Sequence, residues 1–566
     1  MNPSISWGPM LNAYPDSVGG TLSDIVSFLE RPEMKHTFSS FYILPSLFNT
    51  DLDRGFSVIS YDLNECLASK EDLKRLKDEN IDLKLDFILN HASVLSPMFQ
   101  DILEKGDESE YRDFFIDWNK FWEGHGEMTE EGYIQPDPEL IRNMFFRKPG
   151  LPILMVRFPD GRNVPYWNTF YQEIRYPRLD AQDVMKAAHL QYYAADKVAA
   201  LVNEAIASGK KPYEIDYGPF EAAKEAVTEL LEKGRKYLGQ MDLNIRSEKV
   251  WEHYDRTLKQ LSEYGASIAR LDAFAYAPKA VGERNFLNDP GTWDLLEKVR
   301  QLADKYNVTL LPEIHASYGE KTYELVASKG YMVYDFFLPG LLIDALYKGD
   351  ATVLGRWAKE LIDRKIRTVN MLGCHDGIPL LDLKGLLEDE RIQELIDTVV
   401  GRGGHVKDLH GQKNVYYQVN ATYYSALGED DRAMLLSRAV QMMMPGKPQV
   451  WYLDLFDGKN DYEAMRRAGA GGHKEINRTN LSPEDIAEGL KKENVQQQIE
   501  LLRFRHDFKA FAPDAEMSVC ADGAVLELCW KKDGYTAYLK ADMKDHGFCL
   551  KGTDDKGDVV FEMTQA

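Results

Sequence analysis

Short apolar runs that close on polar residues recur along the chain, at 40–44, 83–89, 266–271, 308–314, 332–337, 368–372 and 449–453. Amphipathic stretches lie between several of them, as at 292–305 and 351–364. Strand–helix alternation on this scale predicts parallel βα units, and this many units fit a closed (β/α)8 TIM barrel, an α/β fold. In such a barrel chemistry sits where the strands end on their C-terminal side. The polar residues that close the runs are therefore the ones to read.

Two segments break the rhythm. Residues 93–240 separate consecutive strand candidates by far more than a βα loop and are expected to form an inserted subdomain. Helical patterning runs through 183–208 within it, breaks at Gly209-Lys210-Lys211-Pro212 and resumes at 220–237. This predicts an extra helical hairpin at about 172–239. A second break, 383–420, contains Gly401-Arg402-Gly403-Gly404 and reads as a long loop over the barrel mouth. Barrel segments are then 1–92, 241–382 and 421–508. From about 509 the pattern turns to alternation (525–530, 536–539, 559–563), which predicts a small C-terminal β-domain at 509–566.

Composition narrows the partners. A chain of 566 residues with 44% apolar and 28% charged residues can bury a large core. The formal net charge of −23 argues against nucleic acid and anionic membranes, because phosphate binding needs clustered Lys and Arg. The five cysteines (Cys66, Cys374, Cys520, Cys529, Cys549) have neither metal-knuckle spacing nor the even count of a disulfide framework. They read as reduced thiols. The first residues show no basic start and no apolar run, and no stretch reaches the ~18 apolar residues of a membrane span. Both point to a cytoplasmic protein.

Four strand ends carry the candidate chemistry: Asp86-Phe-Ile-Leu-Asn90-His91, Arg270-Leu-Asp272, Leu311-Pro-Glu313-Ile-His315 and Cys374-His375-Asp376-Gly377. Carboxylates at the ends of apolar strands are costly to desolvate and need partners or a function. Arg270, two residues before Asp272, points to the same side of a strand and could hold Asp272 ionised. Glycosyl transfer with retention needs two carboxyls about 5–5.5 Å apart, one ionised nucleophile and one proton donor that later acts as base. Neighbouring strands lie about 4.8 Å apart, so Asp272 and Glu313 can meet that spacing. Asp376 could bind sugar hydroxyls, and His91 and His375 can hydrogen-bond them while neutral. No metal-ligand spacing appears, and Asp86, which precedes its strand end, reads as structural.

At these four motifs, in this order, the chain resembles glycoside hydrolase family 13, the α-amylase clan, and within it the sucrose phosphorylase subfamily. The resemblance extends to Ala13-Tyr-Pro-Asp-Ser-Val-Gly-Gly20, Asp53-Arg-Gly-Phe56, Pro149-Gly-Leu-Pro152, Gln418-Val-Asn-Ala-Thr-Tyr-Tyr-Ser-Ala-Leu-Gly428, Pro445-Gly-Lys-Pro-Gln-Val450 and Glu475-Ile-Asn-Arg478. It covers nearly the whole chain except about 172–239. It implies Asp272 as nucleophile, Glu313 as general acid/base and Asp376 as transition-state stabiliser. Asp53, Phe56, His91, Arg270, His375 and Arg478 would line the glucosyl subsite, and Tyr417 and Gln418 the loop beside it. Arg147 and Lys148, with the 402–413 loop (His405, Lys407, His410), are candidates to bind phosphate.

The implied reaction is phosphorolysis of sucrose or a related α-glucoside to α-glucose 1-phosphate, with inorganic phosphate as co-substrate and no cofactor. Sucrose 6-phosphate, another glucoside or plain hydrolysis is the alternative. A catalytically dead sugar-binding barrel is disfavoured by the presence of both carboxyls, and a secreted starch-degrading enzyme by the N-terminus. Lys474 begins a motif that usually begins with Arg, which leaves open the residue that pairs with Asp53. Two substitutions and the insertion bear on the leaving group: Val415 stands where the subfamily has Asp, and Lys148 where it has Arg. The insertion is expected to reshape the acceptor pocket or to form an oligomer interface, for example in a homodimer.

Overall fold

A computed structural model describes residues 5–147, 149–408, 416–469 and 472–566, the side chains of Asp53, Lys407, Asp408, Tyr416 and Tyr417 excepted. The chain divides into two compact units, one of Met1–Asn90, Pro138–Phe145 and Leu243–Ala566, the other of His91–Asp137 and Phe146–Asp242.

The first unit is built on eight parallel strands: β1 (Met10–Ala13), β2 (Ser40–Ile43), β3 (Asp82–Ile88), β4 (Ala266–Asp272), β5 (Thr309–Pro312), β6 (Val333–Asp335), β7 (Thr368–Met371) and β8 (Lys447–Trp451). They neighbour in the order β5-β4-β3-β2-β1-β8-β7-β6, so chain order is barrel order, and only the β5–β6 seam lacks ladder bonds among the described residues. This is the (β/α)8 barrel expected from the alternation. β1 is the strand that the hydrophobic pattern did not announce, since Asn12 interrupts the apolar run Met-Leu-Asn-Ala. Amphipathic helices cover the sheet. The helix Glu248–Glu263 buries Val250, Tyr254, Thr257, Leu258 and Leu261 along one stripe. The helix Asp431–Met443 buries every side chain from Ala433 to Met443, because the C-terminal sheet also packs on it: Trp530 Nε1 donates to Met443 O at 2.8 Å.

That sheet is a five-stranded antiparallel meander (Glu516–Asp522, Val525–Lys532, Tyr535–Asp542, Gly547–Thr553, Val559–Gln565). One of its hairpins turns through Asp533 and Gly534, both at positive φ (48° and 86°), the turn geometry that matches strand twist. The segment 383–420, expected as a loop, instead contains the 13-residue helix Asp389–Gly401 and a strand pair, His405–Asp408 with Tyr416–Asn420. Ile392, Leu395, Ile396 and Val399 give that helix its buried stripe, an amphipathic signal masked by its acidic first turn.

In the second unit, the strand Lys236–Asp242 pairs with both His91–Ser93 and Gln172–Arg175. The expected hairpin over 172–239 therefore needs correcting at both ends, which are strands. Its interior is three helices, Ala181–Ala188, Tyr192–Ala207 and Lys224–Lys233, with a left-handed break at His189 (φ 54°). They enclose their own core of Val184, Val198, Val202, Val227 and Leu231, all fully buried. Such a core makes the insertion cooperative. Leu231→Ala should cost roughly 2–5 kcal/mol within it. Hydrogen exchange should then rise across the three helices while the C-terminal sheet keeps its protection.

Candidate active site

The C-terminal ends of β3, β4 and β5 bring together the charged groups that the sequence marked. Register sets this directly: Arg270 stands opposite Asp86 on β3 and Leu311 on β5, and Asp272 opposite Ile88. Glu313 follows β5 and stays on the ladder through its N–H, which donates to Leu271 O at 3.3 Å. Immediately after Asp272 the chain turns at Ala273, whose φ of 51° is unusual for a residue other than glycine. Asp272 thus sits at the lip of the barrel.

Arg270 is the centre of this group, with its side chain only 3% exposed. Its Nη1 donates to Asp86 Oδ1 at 2.5 Å and to Asp272 Oδ1 at 2.9 Å, and its Nη2 lies 3.0 Å from Glu313 Oε1. Tyr42 Oη donates to the other Asp86 oxygen at 2.8 Å. One guanidinium therefore serves three carboxylates. The expectation that Arg270 holds Asp272 ionised needs correcting. Burial, with Glu313 and Asp86 beside it, outweighs Arg270 and pushes the Asp272 carboxyl up to about 7. Glu313 is buried too, but Arg270 and His315 hold it down to about 2. Asp86 belongs to the site's charge network rather than being a bystander.

Asp376 lies in the loop after β7. Burial alone would raise it, but Lys474, whose Nζ bonds Oδ1, together with His375 and Arg478, holds it well below the usual carboxylate range. Lys474, which stands in place of the usual Arg of its motif, is the residue that bonds Asp376. The His375 ring stacks on Phe56 (5.1 Å, 16°), is kept neutral by burial, which lowers it to about 3, and has no hydrogen-bond partner for Nδ1 among the described residues. Arg478 Nε donates to His375 O at 2.9 Å, and Asn477 Nδ2 to Cys374 O at 2.7 Å, so the 473–478 turn pins this loop. Gln418 Oε1 accepts from Gly377 N at 3.1 Å.

Asp272, Glu313, Asp376, Arg270, His375, Phe56, Gln418 and Arg478 all belong to the first unit. His91 and Arg147 belong to the second, where both approach the Phe170 ring, at 4.9 Å and 5.0 Å. Lys148, His410 and Val415, and the side chains of Asp53, Lys407 and Tyr417, lie outside the described residues. Arg402 is occupied elsewhere: its Nη1 donates to Ala426 O at 2.6 Å, which satisfies a helix-terminal carbonyl. Sequence reading missed Tyr42, the Lys474–Asp376 pair and the partners of His315. The last had a signal, since His315 stands two residues beyond Glu313.

Glu313, His315 and Asp376 place ligand atoms within 4.8 Å of one another, but Arg270 and Lys474 already bond the two carboxylates. Two fixed cations there make a poor metal site. Geometrically, two carboxyls on adjacent strand ends, bridged by one arginine and faced by a third carboxylate, suit displacement at a saturated carbon bearing a leaving oxygen.

Comparison with known proteins agrees with this chemistry. No family model matches the sequence. The chain is 48% identical over 564 residues to a sucrose 6(F)-phosphate phosphorylase of Ilumatobacter coccineus, covering 98% of this chain and 97% of the relative. It is 30% identical over 560 residues to a sucrose phosphorylase of Streptococcus mutans, covering 98% of each. A crystal structure of sucrose 6F-phosphate phosphorylase from Thermoanaerobacter thermosaccharolyticum superposes with a TM-score of 0.80 at 30% identity, covering 100% of this chain and 98% of that one. An α-amylase from H. orenii, 14% identical with a TM-score of 0.58 over 95% of this chain and 90% of its own, shares the fold.

Cys374, next to this site, offers a simple check of the electrostatics. Burial, with Asp376 nearby, pushes its thiol up to about 12, whereas Cys66 and Cys520 are exposed. At pH 8, iodoacetamide should label Cys66 and Cys520 and leave Cys374 unmodified in the native protein, read by peptide mass spectrometry.

Proposed function

The chain belongs to the sucrose phosphorylase subfamily of glycoside hydrolase family 13, and we propose that it moves an α-glucosyl unit from a sucrose-type donor to inorganic phosphate. The observation that supports this most directly is the single guanidinium of Arg270 joined to both Asp272 and Glu313 at adjacent strand ends.

In this reading Asp272 attacks the anomeric carbon, the bond from that carbon to the leaving oxygen breaks, and a proton passes through Glu313 to that oxygen. The product is a β-glucosyl ester of Asp272. A phosphate oxygen then attacks from the face the leaving group vacated, the ester bond breaks with its electron pair returning to Asp272, and α-glucose 1-phosphate leaves with net retention. Asp376, held ionised by Lys474, accepts bonds from sugar hydroxyls and favours the positively charged, oxocarbenium-like state. His375, whose Nε2 lies 3.4 Å from Asp376 Oδ2, and Phe56, stacked on its ring, are assigned to the same sugar. On the subfamily motifs they carry, we assign sugar-binding roles to Asp53, Arg478, Tyr417 and Gln418 and to His91, and phosphate-binding roles to Arg147 and Lys148. No cofactor is required by this chemistry, and the protein is read as cytoplasmic; no helix among the described residues is long and apolar enough to cross a membrane.

The name of the 48% identical relative favours a second reading of the leaving group, fructose 6-phosphate in place of fructose. Release of glucose 1-phosphate, followed in phosphate buffer with sucrose and with sucrose 6-phosphate in parallel, decides between them. Release from neither would overturn the donor assignment. Asp272→Asn should lower turnover on the order of 10⁴-fold or more on whichever donor is active, because no covalent ester can form.

The pH dependence has a definite sign. Asp272 attacks only as the carboxylate, and its carboxyl is pushed up to about 7, so protonation removes the nucleophile as pH falls. The value of kcat/KM should therefore drop about tenfold per pH unit below about 7. A flat profile between pH 5 and 7 would contradict it.

A further inference from the structure

Glu313 Oε1 is approached from two sides, by Arg270 Nη2 at 3.0 Å and by His315 Nε2 at 3.3 Å. The other nitrogen of His315, Nδ1, lies 3.0 Å from Asp382 Oδ2. The imidazole stacks on Phe336 with centroids 4.0 Å apart and planes 22° from parallel, so the ring cannot turn away without losing that contact. His315 and Asp382 are nearly buried, with side chains 10% and 8% exposed. Asp382 comes from the short turn Leu380–Leu383, which follows the loop bearing Asp376. Asp382, His315 and Glu313 thus form a line of three polar groups ending at the carboxyl that must handle a proton.

The chemistry of that line is specific. A carboxylate at Nδ1 fixes the hydrogen there and leaves Nε2 as the exchanging position. Nε2 can then carry a proton and donate to an ionised Glu313, or lack one and accept from a protonated Glu313. Both arrangements use the same hydrogen bond. The pair can pass one proton back and forth without moving a heavy atom.

We propose that His315 stores the proton that Glu313 delivers to the leaving-group oxygen, and that Asp382 is the positioning residue that makes this exchange possible. This deepens the phosphorylase reading and rests on Glu313 as its acid/base. It also accounts for a feature of the sugar-free site that would otherwise oppose that role. Glu313 is held down to about 2 and ionised, while His315, buried but bonded to Asp382 and Glu313, is raised to about 10. The acid's proton is present, one hydrogen bond away.

In the first half-reaction, the proton on Nε2 moves to Glu313 as negative charge grows on the leaving oxygen. Glu313 gives it to that oxygen as the carbon–oxygen bond breaks with its electron pair, and Asp272 closes the new bond to the anomeric carbon. His315 ends neutral and Glu313 ionised. In the second half, an O–H of the phosphate monoanion loses its proton to Glu313 as its oxygen bonds the anomeric carbon and Asp272 leaves. The proton returns to Nε2. Atoms and charges balance over the cycle, and the enzyme ends as it began.

The test compares leaving groups. Asp382→Asn keeps an oxygen that can accept from Nδ1–H but removes the charge that supports a cationic ring. On sucrose or sucrose 6-phosphate, whose alkoxide-like leaving group needs protonation, Asp382→Asn should lose about 100-fold in kcat, with KM changed little. On α-glucosyl fluoride, where fluoride departs without a general acid's proton, the loss should stay below about fivefold. Asp382→Glu, which restores the charge, should recover part of the sucrose rate. Equal losses on both donors would mark Asp382 as merely structural, and no loss on either would make it irrelevant; both overturn the proposal.

Should Asp382→Asn fail to fold by circular dichroism, His315→Gln reads the same contrast. If the wild-type protein turns over glucosyl fluoride and aryl α-glucosides but neither sugar, the donor reading fails. The relay is then still decided by aryl glucosides against the fluoride.

Discussion

The site depends on one buried guanidinium shared among three carboxylates. Asp86, Asp272 and Glu313 come from three consecutive strands, and each would repel the others at these separations without Arg270 between them. Burying such a cluster is costly, and further donors offset part of the cost: Tyr42 covers the second Asp86 oxygen, and His315 joins Arg270 at Glu313 Oε1. Removing Arg270 would leave several uncompensated charges where water cannot replace it. The strand ends are thus held in register by backbone ladders and in charge balance by one side chain.

This balance also sets how the two central carboxyls differ. Both are buried, so both are pushed toward the neutral form, and the difference lies in their other neighbours. Glu313 has two cationic partners; Asp272 has a share of one, with anions on either side. The proton count of the site is therefore a property of the whole network rather than of either carboxyl. In the loop after β7 the same logic runs through Lys474, which keeps Asp376 ionised beside a neutral His375.

The second unit follows a different plan. Its insertion folds around a core of its own, with Val202, Val227 and Leu231 fully buried, and is closed at its base by an antiparallel strand pair. Arg157 ties the insertion to the hairpin 153–167 through Glu229 at 3.0 Å. An element with this much internal packing can diverge in sequence and surface without disturbing the barrel strands that carry the carboxylates.

The sequence by itself determined the barrel, seven of its eight strands and the order of the four strand-end motifs. Apolar runs of strand length ending in charge are a local pattern, and local patterns are legible without coordinates. It also determined that Asp272 and Arg270 share a side, because the two-residue period of a strand is local. It missed β1, whose apolar run Asn12 interrupts, and misread the ends of the insertion, where the strands 172–175 and 236–242 are defined by pairing with residues distant in the chain. Only the tertiary structure decided that Asp86 shares Arg270, that Lys474 serves Asp376, and that Asp382 reaches Glu313 through His315. Those partners lie tens to hundreds of residues apart. Hydrogen-bond partnership depends on distances of a few ångströms, which chain separation does not encode; it is set where the barrel closes and brings distant strand ends to one rim.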